Sequence, residues 1–237
     1  MSIVFISGAT GYLGRPLCQR LVSAGFDVYA LTRPQSIRKV PLGCVPVPGN
    51  ALDAQTFQHA VPLGTTYIHL TGVSHPSPAK AAQFKAIDQV SFDASLTAAI
   101  AARASHFVYI SVAHPAPVMD AYIAVRQACE MRLHGSGLHA TILRPWYVLG
   151  PGHLWPYVLI PFYKIAERIP AWRDTAGRLA LVTRRQMLDA LAEAANNPPC
   201  GIRIVEAPAI RNSSRGAVSA SPSALSSTIR RPSAPSA

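Results

Sequence analysis

Three glycines at regular spacing stand near the start of the chain, in the segment Ser7-Gly8-Ala9-Thr10-Gly11-Tyr12-Leu13-Gly14. An apolar run precedes this segment, and a stretch with helical leucine spacing follows it. Glycines between a strand and a helix let the backbone turn sharply and approach a phosphate, whose charge then meets the helix amino terminus. The alternative is a structural turn that packs closely on the helix. The flanking strand and helix favour a dinucleotide pyrophosphate, bound by Gly8, Thr10, Gly11, Tyr12, Leu13 and Gly14.

The end of the second predicted strand distinguishes the two common dinucleotides. An acidic residue there binds the ribose hydroxyl of NAD, whereas an arginine suits the 2′-phosphate of NADP. Asp27 precedes this strand, while Arg33 follows its carboxyl end, where ligands bind. Arg15, next to the last glycine, can assist. The alternative for each arginine is a solvent-facing side chain. The sequence therefore predicts NADP as the cofactor, in preference to NAD.

An alternation of strands and helices must position these residues. Apolar runs predict strands over residues 3–7, 28–31, 45–47, 67–70, 107–111, 140–143, 179–182 and 202–206. Helical patterns cover 12–24, 53–60, 79–104 (with one break), 121–134 and 184–196. Strand–helix–strand repeats build parallel sheets. We therefore predict a doubly wound, mostly parallel α/β sheet of the Rossmann type over residues 1–210.

Two segments depart from this alternation. Residues 145–178 are rich in proline, glycine and aromatic residues, which predicts a small substrate-side insertion over the carboxyl edge of the sheet. Its Trp146, Tyr147 and Trp155 can line an apolar substrate pocket or form the core of the insertion. Residues 211–237 are rich in serine, alanine and proline. Such a segment buries too little apolar surface to offset its ordering entropy, so we predict a disordered tail.

Further motifs follow the glycine loop in a recognisable order: Asn50-Ala51-Leu52-Asp53, His69-Leu70-Thr71-Gly72, Tyr109-Ile110-Ser111 and Arg144-Pro145-Trp146. With that loop they make the chain, over about residues 1–210, resemble the extended or atypical branch of the short-chain dehydrogenase/reductase superfamily. The resemblance implies an NAD(P) cofactor and oxidoreductase or epimerase/dehydratase-like chemistry on a small organic substrate. It also implies that the cofactor contacts Asn50, Ala51, Leu70, Thr71 and Gly72.

The resemblance further implies a catalytic serine after the fifth strand and a Tyr-x-x-x-Lys pair on the next helix. Ser111 and Tyr122 match these roles, and Arg126 replaces the lysine. A cation there can lower the pKa of the tyrosine, but arginine cannot release its proton to a relay. The alternative is that Tyr122 only packs and that Arg126 pairs with Glu130, one turn along. Two functions therefore remain open: an NADP-dependent enzyme, and a non-enzymatic NADP(H)-binding regulator or accessory subunit.

Weaker candidates surround the same predicted edge. Lys85 and Asp88 lie on the helix after the fourth strand, and His75, His114 and His153 follow predicted sheet ends or turns. A lone histidine is more often structural than catalytic.

Composition limits the other classes of function. The net charge of +11 suits an anionic ligand, but no nucleic-acid motif accompanies it, so we expect a small-molecule substrate and no specific nucleic acid partner. Four dispersed cysteines without a C-x-x-C pair predict no metal site and favour a reducing, cytoplasmic setting. The first residues lack the basic region of a secretory signal. The longest apolar run, 154–163, contains two prolines and is too short to span a membrane.

Overall fold

Seven parallel strands form the main sheet of the computed structural model, which describes residues 2–74, 76–116, 119–150 and 180–216. The strands of the described residues are, in chain order, β1 Ile3–Ser7, β2 Asp27–Thr32, β3 Cys44–Pro48, β4 Thr66–His69, β5 His106–Ile110, β6 Ala140–Arg144, β7 Tyr147–Leu149, β8 Leu181–Thr183 and β9 Ile202–Glu206. The main sheet has the order β3-β2-β1-β4-β5-β6-β9, with every neighbouring pair parallel. The predicted doubly wound α/β architecture is confirmed.

Helices connect the strands. They are α1 Gly14–Ser23, α2 Ala81–Gln83, α3 Val90–Ala101, α4 Asp120–Gly135, α5 Arg184–Asn196 and α6 Ala207–Gly216. A π-helical segment, Phe84–Gln89, joins α2 to α3, so the break expected in the long alanine-rich helix is a change of helical pitch. The helix predicted over 53–60 is instead two short 3₁₀ turns, because the side chain of Asp53 accepts from the Gln55 amide and closes a tight local turn.

The sheet is buried on both faces. Val4 and Ile6 of β1 pack in one core cluster with Leu17 and Leu21 of α1, while Phe5 faces the opposite cluster. Successive strand side chains point to opposite faces, so a strand covered on both sides needs apolar residues at every position. This requirement explains the continuous apolar run that predicted β1.

The carboxyl ends of the central strands meet at one edge. In register, Ser7 of β1 pairs with His69 of β4, His69 pairs with Tyr109 of β5, and Ile110 pairs with Leu143 of β6. The loops that follow these strands therefore lie side by side. A parallel sheet of this order binds ligands at that edge.

The described residues cover the predicted insertion only in part. Residues 145–150 include β7, which pairs in parallel with β8 as a separate small sheet. His75, His153 and Trp155 lie outside the described residues, as do 151–179 as a whole. No helix in the described part of the chain is long and apolar enough to cross a membrane.

The predicted boundary of the tail is too early. Helix α6 continues to Gly216, and its Ile210 is fully buried in the core cluster that contains α1. The side chain of Gln186 donates to the carbonyl of Arg211 at 3.2 Å. Composition alone missed this helix because one isoleucine and one buried alanine, Ala207, are enough to anchor its inner face. Residues 217–237 lie outside the described residues.

Candidate functional site

The glycine loop between β1 and α1 has a backbone path that only glycine permits. Gly8 adopts a φ of +77°, and a Cβ there would lie 2.7 to 2.9 Å from backbone atoms of Leu70 and Thr71. A Cβ on Gly14 would overlap the carbonyl oxygen of Gly8 and lie 2.8 Å from Cα of Ala9. Gly11 donates to the carbonyl of Gly8 at 3.0 Å. The loop is thus pressed against the end of β4 on one side and against α1 on the other.

A cleft of about 340 Å³ opens at this edge of the sheet. Most of the residues that the sequence singled out line it: Gly8, Gly11, Tyr12, Leu13, Gly14, Leu70, Thr71, Gly72, Ser111, Tyr122 and Arg126. Trp146, Tyr147 and Val148 close the cleft on the side of β7. The tertiary structure therefore joins the glycine loop and the three candidate catalytic residues in one cavity.

Four predicted cofactor residues, Thr10, Arg33, Asn50 and Ala51, lie outside the lining of the cleft. Arg33 is exposed directly after β2. Asn50 uses its side-chain oxygen to accept from the Leu52 amide at 3.1 Å. The Gly49 amide donates to the Thr32 carbonyl at 2.9 Å, which keeps the segments that carry Arg33 and Asn50 adjacent. Arg33 and Asn50 are thus exposed residues on neighbouring segments, outside the cleft but at the same edge of the sheet.

Ser111 and Tyr122 reach the cleft from different elements. Ser111 follows β5, and its amide donates to the Leu143 carbonyl at 2.8 Å. Its hydroxyl is buried beside the carboxylate of Glu130, whose pKa it helps to lower. Tyr122 lies on the first turns of α4, where the ring of Phe84 packs edge-on against it at 5.0 Å.

Arg126 is held by a partner that helix spacing did not suggest. Its guanidinium pairs with Asp88 at 2.5 Å and donates to the carbonyl of Ile110 at 2.9 Å. It also donates to the Tyr109 hydroxyl at 3.3 Å and stacks over the Tyr122 ring at 4.9 Å. The side chains of Asp88 and Arg126 are 1% and 9% exposed. The alternative pairing of Arg126 with Glu130 is therefore wrong.

Glu130 has a different partner because α4 turns it toward β6. Arg144, the last residue of β6, binds both carboxylate oxygens of Glu130 and also donates to Glu206 at 3.0 Å. His114 lies 3.7 Å from the same carboxylate. Burial raises the pKa of Glu130, but the hydrogen bonds from Arg144 and Ser111 together with the Arg144 charge outweigh it and hold this pKa below its usual value. These contacts connect α4 with the carboxyl ends of β6 and β9.

The charge on Arg126 does not produce an acidic tyrosine. Burial raises the pKa of Tyr122; Arg126 opposes this, whereas Asp88 adds to it, and the net direction is upward. The expectation that Arg126 would lower the pKa of Tyr122 is therefore not met overall, because burial raises this pKa by more than Arg126 lowers it and Asp88 adds to the rise.

Sequence reasoning underestimated one residue near the site, Asp88, and missed the contacts of another, His69. Asp88 was a weak candidate whose role depends on Arg126, 38 residues away in the chain. His69 lies fully buried at the end of β4, where its Nδ1 bonds the hydroxyls of Ser7 and Ser95 at 3.0 and 2.9 Å. Burial, and then the charge of Arg126, lowers the pKa of His69 to about 3. His69 is a neutral, structural residue, and no local pattern predicts its serine partners.

Residues 8–152 match the model of a family described as NAD(P)H-binding. Ceramide reductase from Caulobacter vibrioides is 28% identical over 173 residues, which are 71% of this chain and 52% of that protein. The 4-hydroxy-2-methyl-3-oxo-4-farnesyl-3,4-dihydroquinoline-1-oxide ketoreductase from Stigmatella aurantiaca is 26% identical over 168 residues, 62% of this chain and 50% of that protein. The chain spans about half the length of these curated relatives.

Solved structures share the fold at lower identity. The Bordetella bronchiseptica enzyme WbmH, in complex with NAD+, superposes with a TM-score of 0.65 at 20% identity, over 87% of this chain and 76% of that one. The UDP-N-acetylglucosamine 4-epimerase from Bacillus cereus gives a TM-score of 0.62 at 16% identity, over 87% and 79%. The chain shares its fold with these enzymes, and it belongs to the NAD(P)H-binding family.

Proposed function

We propose that this chain is an NADP(H)-dependent oxidoreductase that reduces a carbonyl group on a small, largely apolar organic substrate. The observation that carries the proposal is the single cleft that joins the glycine loop to Ser111 and Tyr122. A reductase needs its cofactor and its proton donor beside the same reacting atoms, and this cleft offers both sets of residues at the carboxyl edge of the sheet.

The chain's own residues have separate roles in this proposal. The loop from Gly8 to Gly14 holds the pyrophosphate, and the bound dihydronicotinamide supplies a hydride. Negative charge then develops on the carbonyl oxygen of the substrate. The Tyr122 hydroxyl donates a proton to that oxygen, while the Ser111 hydroxyl donates a hydrogen bond that orients it. The hydroxyl of Ser111 suits this role because it is buried and belongs to a residue that lines the cleft.

NADP is the cofactor that we favour. Arg33 is exposed directly after β2, and β2 pairs in parallel with β1, the strand that leads into the glycine loop. A guanidinium there presents a fork of donors to a 2′-phosphate. Asn50 lies in the adjacent segment and, with Ala51, adjoins the adenine in this proposal.

The substrate class is inferred from the cleft and from the names of relatives. Val112, Trp146, Tyr147 and Val148 give part of the lining an apolar and aromatic character. The curated relatives include a ceramide reductase and a ketoreductase of a farnesylated quinoline oxide. These names support a ketone on an apolar skeleton over a sugar nucleotide as the first substrates to screen.

A two-stage experiment tests the proposal. Calorimetry or tryptophan fluorescence first measures the binding of NADPH and NADH, and a panel of ketones is then screened by the loss of NADPH absorbance. Tyr122→Phe should lower turnover by about 100-fold or more and leave NADPH affinity within a few-fold. Tyr29→Phe, on β2 outside the cleft, is the matched control. Wild-type turnover by Tyr122→Phe would show that the acid is another group.

A non-enzymatic NADP(H)-binding protein is the second candidate. The pairing of Arg126 with Asp88 favours it, because the cation is engaged within the protein and cannot serve as a free partner for cofactor or substrate. NADPH binding without turnover on ketone, alcohol and sugar-nucleotide panels would favour this function.

A further inference from the structure

The π-helical segment directs two side chains onto α4. Phe84 and Asp88 both belong to Phe84–Gln89, and both are buried. Phe84 packs against the ring of Tyr122, and Asp88 pairs with Arg126 one turn farther along α4. Single π-helical turns inside longer helices are rare, and those that occur are often found at functional sites. The π-helical segment therefore contacts both Tyr122 and Arg126.

Asp88 also ties this pair to the cofactor side of the cleft. Its second carboxylate oxygen accepts from the amide of Val73 at 3.2 Å. Gly72 lies so close that a Cβ on it would be 2.8 Å from Asp88 and 3.0 Å from Arg126. Asp88 therefore connects the loop after β4 with α4, and through Arg126 with the end of β5.

The charges of Arg126 and Asp88 act on Tyr122 in opposite directions. In the described part of the chain, the titratable groups that act on this site are Arg126 and Cys129 on α4, Asp88 on the π-helical segment and Tyr109 on β5, through its bond to Arg126. Burial raises the pKa of Asp88, while Arg126 and the Val73 amide oppose the rise. The contact of Asp88 with the Arg126 guanidinium at 2.5 Å is that of an ion pair, since an arginine does not release its proton. A buried cation with a carboxylate at 2.5 Å offers little net positive charge to a neighbouring phenol.

We propose that Asp88 is a positioning residue that offsets the charge of Arg126 beside the buried Tyr122 and thereby helps to keep this tyrosine protonated, so that the site reduces carbonyls at neutral pH and oxidises alcohols only in alkaline solution. This inference rests on the proposed function. In the reduction, the carbonyl carbon gains a hydride from the reduced nicotinamide, which becomes oxidised, and the oxygen gains the Tyr122 proton. Water then returns a proton to the phenolate. The reverse reaction needs that phenolate as its base.

The test is the pH dependence of kcat/KM in both directions. For the wild-type chain, ketone reduction with NADPH should be flat around neutral pH, whereas alcohol oxidation with NADP+ should rise about tenfold per pH unit and should still be rising at about pH 10, the usual tyrosine pKa. Asp88→Asn leaves the Arg126 charge uncompensated and should move the plateau of oxidation down by about one pH unit or more. Arg126→Gln should move it up, and the double variant should return it close to the wild-type position.

Asp93→Asn is the matched control. Asp93, on α3, also pairs with an arginine of α4, but that arginine is Arg132 and the pair lies at the surface. This change should leave both pH profiles unchanged. A wild-type oxidation rate that already levels off near neutral pH, or a plateau that does not move in Asp88→Asn, overturns the inference. Should Asp88→Asn fail to fold, Arg126→Gln compared with the double variant tests the same balance, since the added Asp88→Asn change must lower the plateau.

Failure of the proposed function has a separate signature. If NADPH binds but no substrate turns over, the tyrosinate absorbance of Tyr122, obtained as wild type minus Tyr122→Phe, replaces the kinetic profile. A titration midpoint that falls in Asp88→Asn but not in Asp93→Asn supports the charge balance without any activity. An unmoved midpoint overturns it.

Discussion

Gly14→Ala tests whether the glycine loop and α1 must be in direct contact for the cofactor to bind. Gly14 is the first residue of α1, where alanine would ordinarily favour the helix by about 1 kcal/mol. Here the added Cβ would overlap the Gly8 carbonyl oxygen and lie 2.8 and 2.9 Å from Cα and C of Ala9. These are backbone atoms, so no side-chain rotation can relieve the overlap.

The size of the effect follows from the distances. Ordinary contacts between carbon atoms lie at about 3.5 Å or more, so the loop must withdraw from α1 by about 1 Å. A shift of that size breaks one or two hydrogen bonds to a charged phosphate, each of which contributes about 1.5 to 3 kcal/mol. We therefore expect NADPH to bind about 10- to 100-fold more weakly or worse.

Calorimetric titration of NADPH measures this loss, with thermal unfolding as a check on the fold. Gly135→Ala is the matched control, since Gly135 ends α4 and a Cβ there would meet nothing within 4 Å. It should leave the affinity unchanged. If Gly14→Ala binds NADPH within threefold of wild type, the close packing of loop and helix is not what positions the phosphate.

Three further outcomes follow from the structure. Arg33→Asp should weaken NADPH binding with little loss of NADH binding, and an unchanged preference would remove Arg33 from the cofactor site. Ile210→Ala should lower the free energy of unfolding, measured by urea titration, by about 2 to 5 kcal/mol. The control Asn212→Ala changes an exposed residue of the same helix and should have little effect, and equal effects of the two changes would mean that α6 does not pack. Burial lowers the pKa of His69 to about 3 and of His106 to about 4, from 6.5, so the unfolded chain binds protons first on acidification. Stability should fall below pH 6.5 by up to about 1.4 kcal/mol per pH unit for each histidine, and a flat profile between about pH 7 and 5 would contradict this.

Local patterns in the sequence were sufficient for much of the fold and for the phosphate loop. The apolar run of β1 is continuous because both of its faces are buried, and the glycines recur because Gly8 and Gly14 leave no room for a Cβ. Such constraints act within a few residues of the chain, so they can be read along it. The order of strands and helices then predicts the parallel sheet and the edge at which its loops converge.

Side-chain partners across the sheet were decided only by the tertiary structure. Helix spacing pairs Arg126 with Glu130, but Arg144 at the end of β6 takes Glu130, and Asp88 takes Arg126. These choices depend on strand register and on the π-helical segment, which directs Asp88 toward α4 and leaves no mark in the apolar periodicity. The sequence by itself thus determined the glycine loop and the edge of the sheet at which it lies. Whether the tyrosine beside it has a free or a neutralised cation depends on contacts between residues that are distant in the chain, which no local pattern contains.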